Sequence, residues 1–381
     1  MAALSRLGRI SKRPLFRSAS PVRQFTQSNF QPLDSNDKFE EETLPWYTPD
    51  SSYAVKVGEV FQSRYQVIGK LGYGGYSTVW LCRDLTINKY VTLKVFKRDS
   101  AEGKREVKVY DHLHTSNASH DGAMFVRTAL NSFQIDAQGL DPSRGFYQCI
   151  VHQPLGISLY DLRIQFAAKI LPEKLVKLTL LHLLLALDYL HTEFGVIHTE
   201  ISNPSRRKIV GNRVIYLSRK LKKTKQHGRP ILCDFGHTRF GSARYSGDIQ
   251  PYIYRAPEVL LRMPWDQKVD IWNIGVVTWD LFQQGHLFYG RDSRKQNSDV
   301  NHIAEMIAVL GPPPRDMLHR IATTLQTSLM LKGAAPIPPR ALEQLEGNLQ
   351  GEQQQLFLAF MRKMLRWRPE ERSSARDLLS D

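Results

Sequence analysis

YQVIGKLGYGGYSTVWLCRDLTINKYVTLKVF, residues Tyr65 to Phe96, is the stretch on which the fold turns. Three short runs rich in β-branched and aromatic residues, YQVIGKLG, STVWLCRD and YVTLKVF, are separated by turn-forming Gly and Asn, which predicts an antiparallel meander. The first turn, LGYGGYSTVW from Leu71 to Trp80, brings Gly72, Gly74 and Gly75 together. Glycines let backbone N–H groups approach phosphate oxygens with no β-carbon in the way, although a glycine-rich hairpin turn is often only a steric convenience. On the third strand, two-residue alternation puts Lys94 on the same face as Thr92 and Phe96, so it can point into a cleft beneath that loop. An inward lysine is costly unless paired. The following helical segment, GKREVKVYDHL, offers Glu106, with Tyr110 and Leu113 four and seven residues later on the same helical face. Taken singly, Lys94 also reads as a snorkelling edge-strand lysine and Glu106 as a solvated helix acid.

Beyond this stretch, Tyr147 to Gln153 is a further strand-like run, after which the apolar spacing becomes helical. The clearest helices are Glu173 to His191, Val269 to Phe282, Val300 to Leu310 and Gln353 to Trp367, and Pro172 suits the first turn of the first of them. Strands followed by helices predict an α+β fold of two lobes, small and β-rich, then larger and helical, with a cleft between. The longest apolar run, Leu175 to Leu190, carries Lys177, His182 and Asp188, falls short of the ~18 residues a membrane span needs, and reads as a buried helix. No transmembrane segment is expected. Cys82, Cys149 and Cys233 are widely separated, with no metal or disulfide spacing.

The net charge of +15 would point to nucleic acid if it were spread over the fold. It is confined to two acid-free segments: Met1 to Leu33 holds +6 and Pro204 to Pro230 holds +10, so the remainder is close to neutral. No direct nucleic-acid partner is expected from the core. The first segment is rich in Arg and Ser, with Leu4, Leu7 and Ile10 at helical spacing, as in a mitochondrial transit peptide, and equally as in a basic disordered tail. Residues 34–58 read as a polar linker with Trp46 and Tyr53 as anchors, and 59–381 as the folded domain, divided at 153/154 into the two lobes.

The glycine loop, Lys94 and Glu106, in that order, resemble the small lobe of a protein kinase. LGYGGYSTVWL, with Ser77 where many kinases have a third glycine, is similar to the SR-protein kinases and their fungal relatives. The resemblance continues through PLGISLYDL at Pro154, VIHTE at Val196, CDFG at Cys233, YRAPEV at Tyr254, VDIWNIG at Val269, LGPPP at Leu310 and WRPEERSSA at Trp367. It implies a serine/threonine kinase that uses ATP and Mg2+ on a protein substrate, Arg/Ser-rich by analogy with the SR-protein kinases. It also implies that Leu71, Gly72, Tyr73, Gly74, Gly75, Tyr76, Ser77, Thr78 and Val79 line the nucleotide with Lys94 and Glu106, and that Asp234 binds the metal. Thr92 and Val79 would roof the adenine, and the backbone from Val151 to Pro154 would bond its edge. Glu258 would pair with Arg372, and Asp270 would brace the catalytic loop. Arg368 replaces the acid the family usually carries before Pro369. Ser242, Tyr245 and Ser246 are candidate phosphorylation sites and equally plain loop residues.

The catalytic loop departs from the family pattern H-x-D-x-K-x-x-N, reading HTEISNPS from His198 to Ser205. Glu200 stands for the catalytic aspartate, Ser202 for the lysine on the γ-phosphate and Ser205 for the metal-binding asparagine; Asn203 lies two residues early. Moving a carboxylate by one methylene keeps a base but displaces it by about 1 Å, which costs on the order of a hundredfold. The basic stretch from about 204 to 230 then separates Glu200 from Asp234 by 34 positions. Two readings of it stand, a genuine basic insertion beside the active site and a partly translated intron. The function expected is a protein kinase, with a nucleotide-binding pseudokinase scaffold as the alternative. The family resemblance points to cytoplasm and nucleus, the N-terminal segment to mitochondria.

Overall fold

The computed structural model describes residues 21–24, 37–45, 47–115, 119–136, 145–194, 196–197, 208–210, 213–216, 218, 228–240, 244–317 and 341–381. Side chains along Ser77–Asp84 alternate between half-buried and buried, so the opening strands make a sheet with two distinct faces. Its six antiparallel strands are β1 (Val60–Phe61), β2 (Tyr65–Tyr73), β3 (Ser77–Asp84), β4 (Lys89–Arg98), β5 (Asn131–Asp136) and β6 (Phe146–His152), in the order β1-β2-β3-β4-β6-β5. The expected meander is β2 to β4. The edge strands β1, two residues long, and β5 escape the sequence reading.

Register fixes what each face presents. Val79, Lys94 and Ile150 lie side by side across β3, β4 and β6, as do Leu81, Thr92 and His152. This face meets helix α1 (Ala101–Thr115) and the larger lobe, where Phe96, Val109, Tyr110 and Ile150 join the main core. The opposite face carries Trp80, Leu93, Cys149 and Val151, which form a second core.

That second core has a cover. Residues 34–58 read as a linker from composition, yet their described part lies on this face: Val55 is buried, and Tyr53 sets its ring edge-on to Phe61 and Tyr147. Trp46 lies outside the described residues. Glu40 and Glu41 both pair with Lys70 of β2, whose side chain is completely buried. From the basic stretch after the catalytic loop, hairpin strands Lys208–Val210 and Arg213–Ile215 lead to Tyr216, whose ring meets Trp80 edge-on and whose hydroxyl accepts from Val57 N–H at 3.0 Å. Ser218 donates through both its N–H and its hydroxyl to Glu40, at 3.0 Å each. Tyr216 and Ser218 of that stretch are therefore tied to the small lobe.

The larger lobe packs on α2 (Glu173–Tyr189), α3 (Lys268–Phe282), α4 (Asp299–Leu310) and the helix Gly351–Met364. Pro172 sits one residue before α2 as its N-cap rather than inside its first turn. A π turn extends the helical run to Glu193, so Glu173–Glu193 has the length and apolarity of a membrane span, longer than the sequence suggests. Its inward side packs in the core through Val176, Leu184, Ala186 and Leu187, and the buried Asp188 bonds His120 and Arg376. The helix is a core helix here, with Leu178 and Leu181 on its exposed side.

One core residue makes stability pH-dependent. His302 of α4 is fully buried between the rings of Phe288 and Tyr252, and neither ring nitrogen has a partner among the described residues. Burial, helped by Arg255, lowers its pKa from 6.5 to about 3. The folded state then binds fewer protons than the unfolded one, so the stability present above pH 6.5 is lost as the pH falls towards 3. His302→Phe removes this loss. Urea titrations at pH 7 and pH 5 are expected to change the difference between the two proteins by about 2 kcal/mol in favour of the variant at pH 5; an unchanged difference would exclude His302.

Candidate active site

Lys94 stands at the centre of the cleft. Its Nζ donates to Glu106 Oε2 at 2.7 Å and to Asp234 Oδ1 at 2.9 Å, which joins β4, α1 and the loop before strand Arg239–Phe240 at one point. Burial alone would push the ammonium down, but the two carboxylates outweigh it and hold the pKa above the usual lysine value. Burial pushes Glu106 up, against the pull of Lys94. A cation held between two acids keeps its charge in a dry site, as phosphate binding requires.

The surrounding contacts hold α1 and the Asp234 loop in place. Tyr110 donates to Glu106 Oε1 at 3.3 Å and meets Phe235 edge-on, and Phe235 is fully buried. Arg105 donates to the Gly236 carbonyl. Asp234 adopts φ 74°, a left-handed conformation that Asp tolerates better than most residues. Its side chain remains 35% exposed. One partly exposed carboxylate, completed by phosphate oxygens and water, fits the oxygen-rich octahedral demand of Mg2+. Among the described residues no group of three or more His, Cys, Asp or Glu forms a self-contained metal cage.

The glycine loop joins β2 to β3, and Gly74 N–H donates to Ser77 O at 2.8 Å across its turn. Tyr76 at the tip is exposed and sets its ring against His237, 5.3 Å away, so the loop reaches the segment carrying Asp234. Leu71, Gly72, Gly75, Ser77 and Val79 follow the loop and its flanking strands, with Gly72 opposite Val79 on the Lys94 face. Of the set expected to line the nucleotide, Tyr73 and Thr78 pair with each other on the opposite face, where Thr78 accepts from Trp80 Nε1 at 2.9 Å and Lys70 lies 5.4 Å from the Tyr73 ring. Strand alternation leaves these two only their backbone groups to offer.

Thr92 is buried and donates to the His152 and Gln153 carbonyls at 3.4 and 3.2 Å, so it ties β4 to the segment joining the lobes. Glu258 and Arg372 form the expected pair, both completely buried. Asp270 accepts from His191 Nε2 at 3.0 Å, beneath the chain that leads to the catalytic loop. Arg368 bonds Asp316 at 2.5 Å and Glu371 at 3.3 Å, so its departure from the family pattern is absorbed locally. Tyr245 is held by mutual backbone bonds with Trp265 and donates its hydroxyl to Phe240 O, whereas Ser246 is exposed. His198, Glu200, Ser202, Asn203, Ser205 and Ser242 lie outside the described residues.

Three contributors carry no motif signal: Arg105, Arg127 and His152. Arg127 Nη2 donates to Gln153 O at 3.1 Å, a contact between residues 26 apart in sequence. His152 bonds Thr128 O at 3.1 Å, and burial with the nearby Arg127 lowers its pKa to about 3.

A family model described as protein kinase domain matches residues 65–381. A serine/threonine protein kinase of Aspergillus fumigatus is 46% identical, covering 96% of each chain. A serine/threonine-protein kinase SRPK of Physarum polycephalum is 28% identical over 91% of this chain and 92% of its own length. Human SRSF protein kinase 3 is 32% identical over 52% of this chain and 34% of its own. A solved kinase-domain structure superimposes with a TM-score of 0.65 at 23% identity, covering 86% of this chain and 97% of that one.

Proposed function

We propose, because the chain belongs to the protein kinase family and its closely matching relatives are serine/threonine kinases, that it transfers the γ-phosphate of Mg-ATP to serine or threonine of a protein substrate. The observation that carries this reading is the ammonium of Lys94 held between Glu106 and Asp234. A charge fixed by two carboxylates pays little reorganisation when it turns to the α- and β-phosphates, and its site is already assembled. Mg2+ bound at Asp234 would supply neutralisation of phosphate charge. The glycine loop would lend backbone N–H groups from above. Glu200 is assigned the substrate's hydroxyl proton, since it is the one carboxylate at the expected position of HTEISNPS. Likeness to SRPK and SRSF kinases supports an Arg/Ser-rich substrate.

A second reading is favoured by one observation. Ser202 and Ser205 lack the charge and the metal ligand that the family pattern supplies there, which removes transition-state stabilisation but not nucleotide binding. The protein is then a nucleotide-gated scaffold. Melting with and without Mg-ATP, beside phosphotransfer to an Arg/Ser-repeat peptide and to the same peptide with Ser replaced by Ala, decides between them. The kinase reading expects stabilisation and labelling of the Ser peptide alone. Stabilisation without labelling leaves the scaffold, and neither effect removes the nucleotide.

A further inference from the structure

Gln66 of β2 is uncharged, polar and completely buried. It stands directly opposite Arg83 of β3, which in turn stands opposite Tyr90 of β4. Two-residue alternation along β3 puts Arg83, and with it Gln66, on the face of Val79 and Leu81, which turns towards the larger lobe. The amide is met there by a stretch 43 positions earlier in the chain.

Arg23 N–H donates to Gln66 Oε1 at 2.9 Å, and Gln66 Nε2 donates to Arg23 O at 2.7 Å. The side-chain amide thus exchanges two bonds with the main chain of one residue, as a neighbouring antiparallel strand would. Arg83 adds a third bond, from Nη1 to Pro21 O at 3.3 Å, while its Nε and Nη2 are anchored on Asn88 Oδ1 at 3.0 and 2.8 Å. Pro21 and Arg23 are two positions apart, so an extended chain turns both towards the same side. Residues 21–24 are themselves exposed. Each of the three bonds runs to a main-chain atom of this segment, so the site reads an extended backbone and not a side chain.

We propose that Gln66 and Arg83 form a docking site for an extended main chain and that its occupant is this chain's own Pro21–Gln24. The N-terminal segment is then a retained part of the folded domain, not a leader ending at or after Arg23. Composition alone reads it as a leader or a loose tail. Neither reading pairs Gln66, whose amide loses both partners without Arg23, and a buried unpaired amide is costly. The opposite face of the sheet is covered through Tyr53, Val55 and the Glu40–Lys70 pair. Parts of the first 58 residues therefore lie on both sides of the small-lobe sheet.

Hydrogen exchange at the residue 23 amide of the full chain tests this, with a free peptide of residues 17–28 as reference. In the natural chain exchange is expected to be about tenfold slower than in the peptide, the worth of one net hydrogen bond. In Gln66→Leu it is expected to return to the peptide rate, whereas Arg23→Ala, which keeps the main chain, stays protected. Arg83→Ala, at a half-buried position, is expected to lose part of the protection and serves if Gln66→Leu fails to fold. Exchange at the peptide rate in the natural chain, or unchanged protection in the folded Gln66 or Arg83 variant, overturns the docking site. Loss of protection in Arg23→Ala overturns main-chain recognition. Mass spectrometry of the protein isolated from its source is expected to find Pro21–Gln24 present, and a mature chain starting at or beyond Gln24 overturns retention.

Discussion

Arg372→Met is expected to destabilise the protein by about 3–5 kcal/mol, the cost of stranding a buried charge. Arg372 is completely buried, and its two terminal nitrogens each meet one oxygen of Glu258 at 2.6 Å. Nη1 also donates to Lys268 O at 3.0 Å and Nε to Arg366 O at 3.1 Å, and the guanidinium lies 5.2 Å from the Trp272 ring centre. These contacts join the segment after the Asp234 loop, α3 and the C-terminal turn. Removing the arginine leaves the Glu258 carboxylate in a dry site and takes one donor from each of the Lys268 and Arg366 carbonyls. Replacing both partners, Glu258→Leu with Arg372→Met, removes the stranded charge and should recover much of the loss. Urea unfolding of the two single variants and the double variant measures this. A loss below about 1 kcal/mol in the Arg372 variant, or a double variant whose loss is the sum of the singles, would show that the pair does not act as a unit.

Lys94→Met should lower phosphotransfer by a hundredfold or more, on the scale seen when one transition-state donor is removed, and abolish the melting shift given by Mg-ATP. The substitution has a structural effect as well, because Glu106 is buried and Asp234 lies against the same ammonium. Two acids without their cation repel, and one takes up a proton. Lys94→Met with Glu106→Gln separates the effects: stability is expected to return while nucleotide binding and transfer stay lost. Full activity in Lys94→Met would remove this residue from the chemistry, and return of nucleotide binding in the double variant would reduce it to a structural prop.

Much of the small lobe was legible because strand alternation and turn residues are local properties. Val79, Thr92 and Lys94 fall on one face as two-residue alternation requires, and Glu106 meets Lys94 because a helix presents one face to that strand. The same rule sends Thr78 away from the cleft, although the motif groups it with its neighbours. Residues 34–58 read as a tether from their polar composition, with Tyr53 as an anchor, and Tyr53 sets its ring on Phe61 and Tyr147. Glu40 and Glu41 are buried there because Lys70 is buried opposite them, and ion pairing across a fold leaves no periodic trace.

By itself the sequence determined the two-lobed α+β architecture, the glycine-rich turn and the Lys94–Glu106 pair, and its ordered motifs implied the Glu258–Arg372 pair, whereas the Lys94–Asp234 contact came from the structure. Tertiary structure alone decided that Tyr216 of the basic stretch packs on Trp80, and that Arg127 closes on the Gln153 carbonyl. The reason is physical: periodicity encodes which face a side chain takes, whereas these contacts join residues 136 and 26 positions apart through backbone pairing elsewhere, and burial becomes favourable only once that pairing exists.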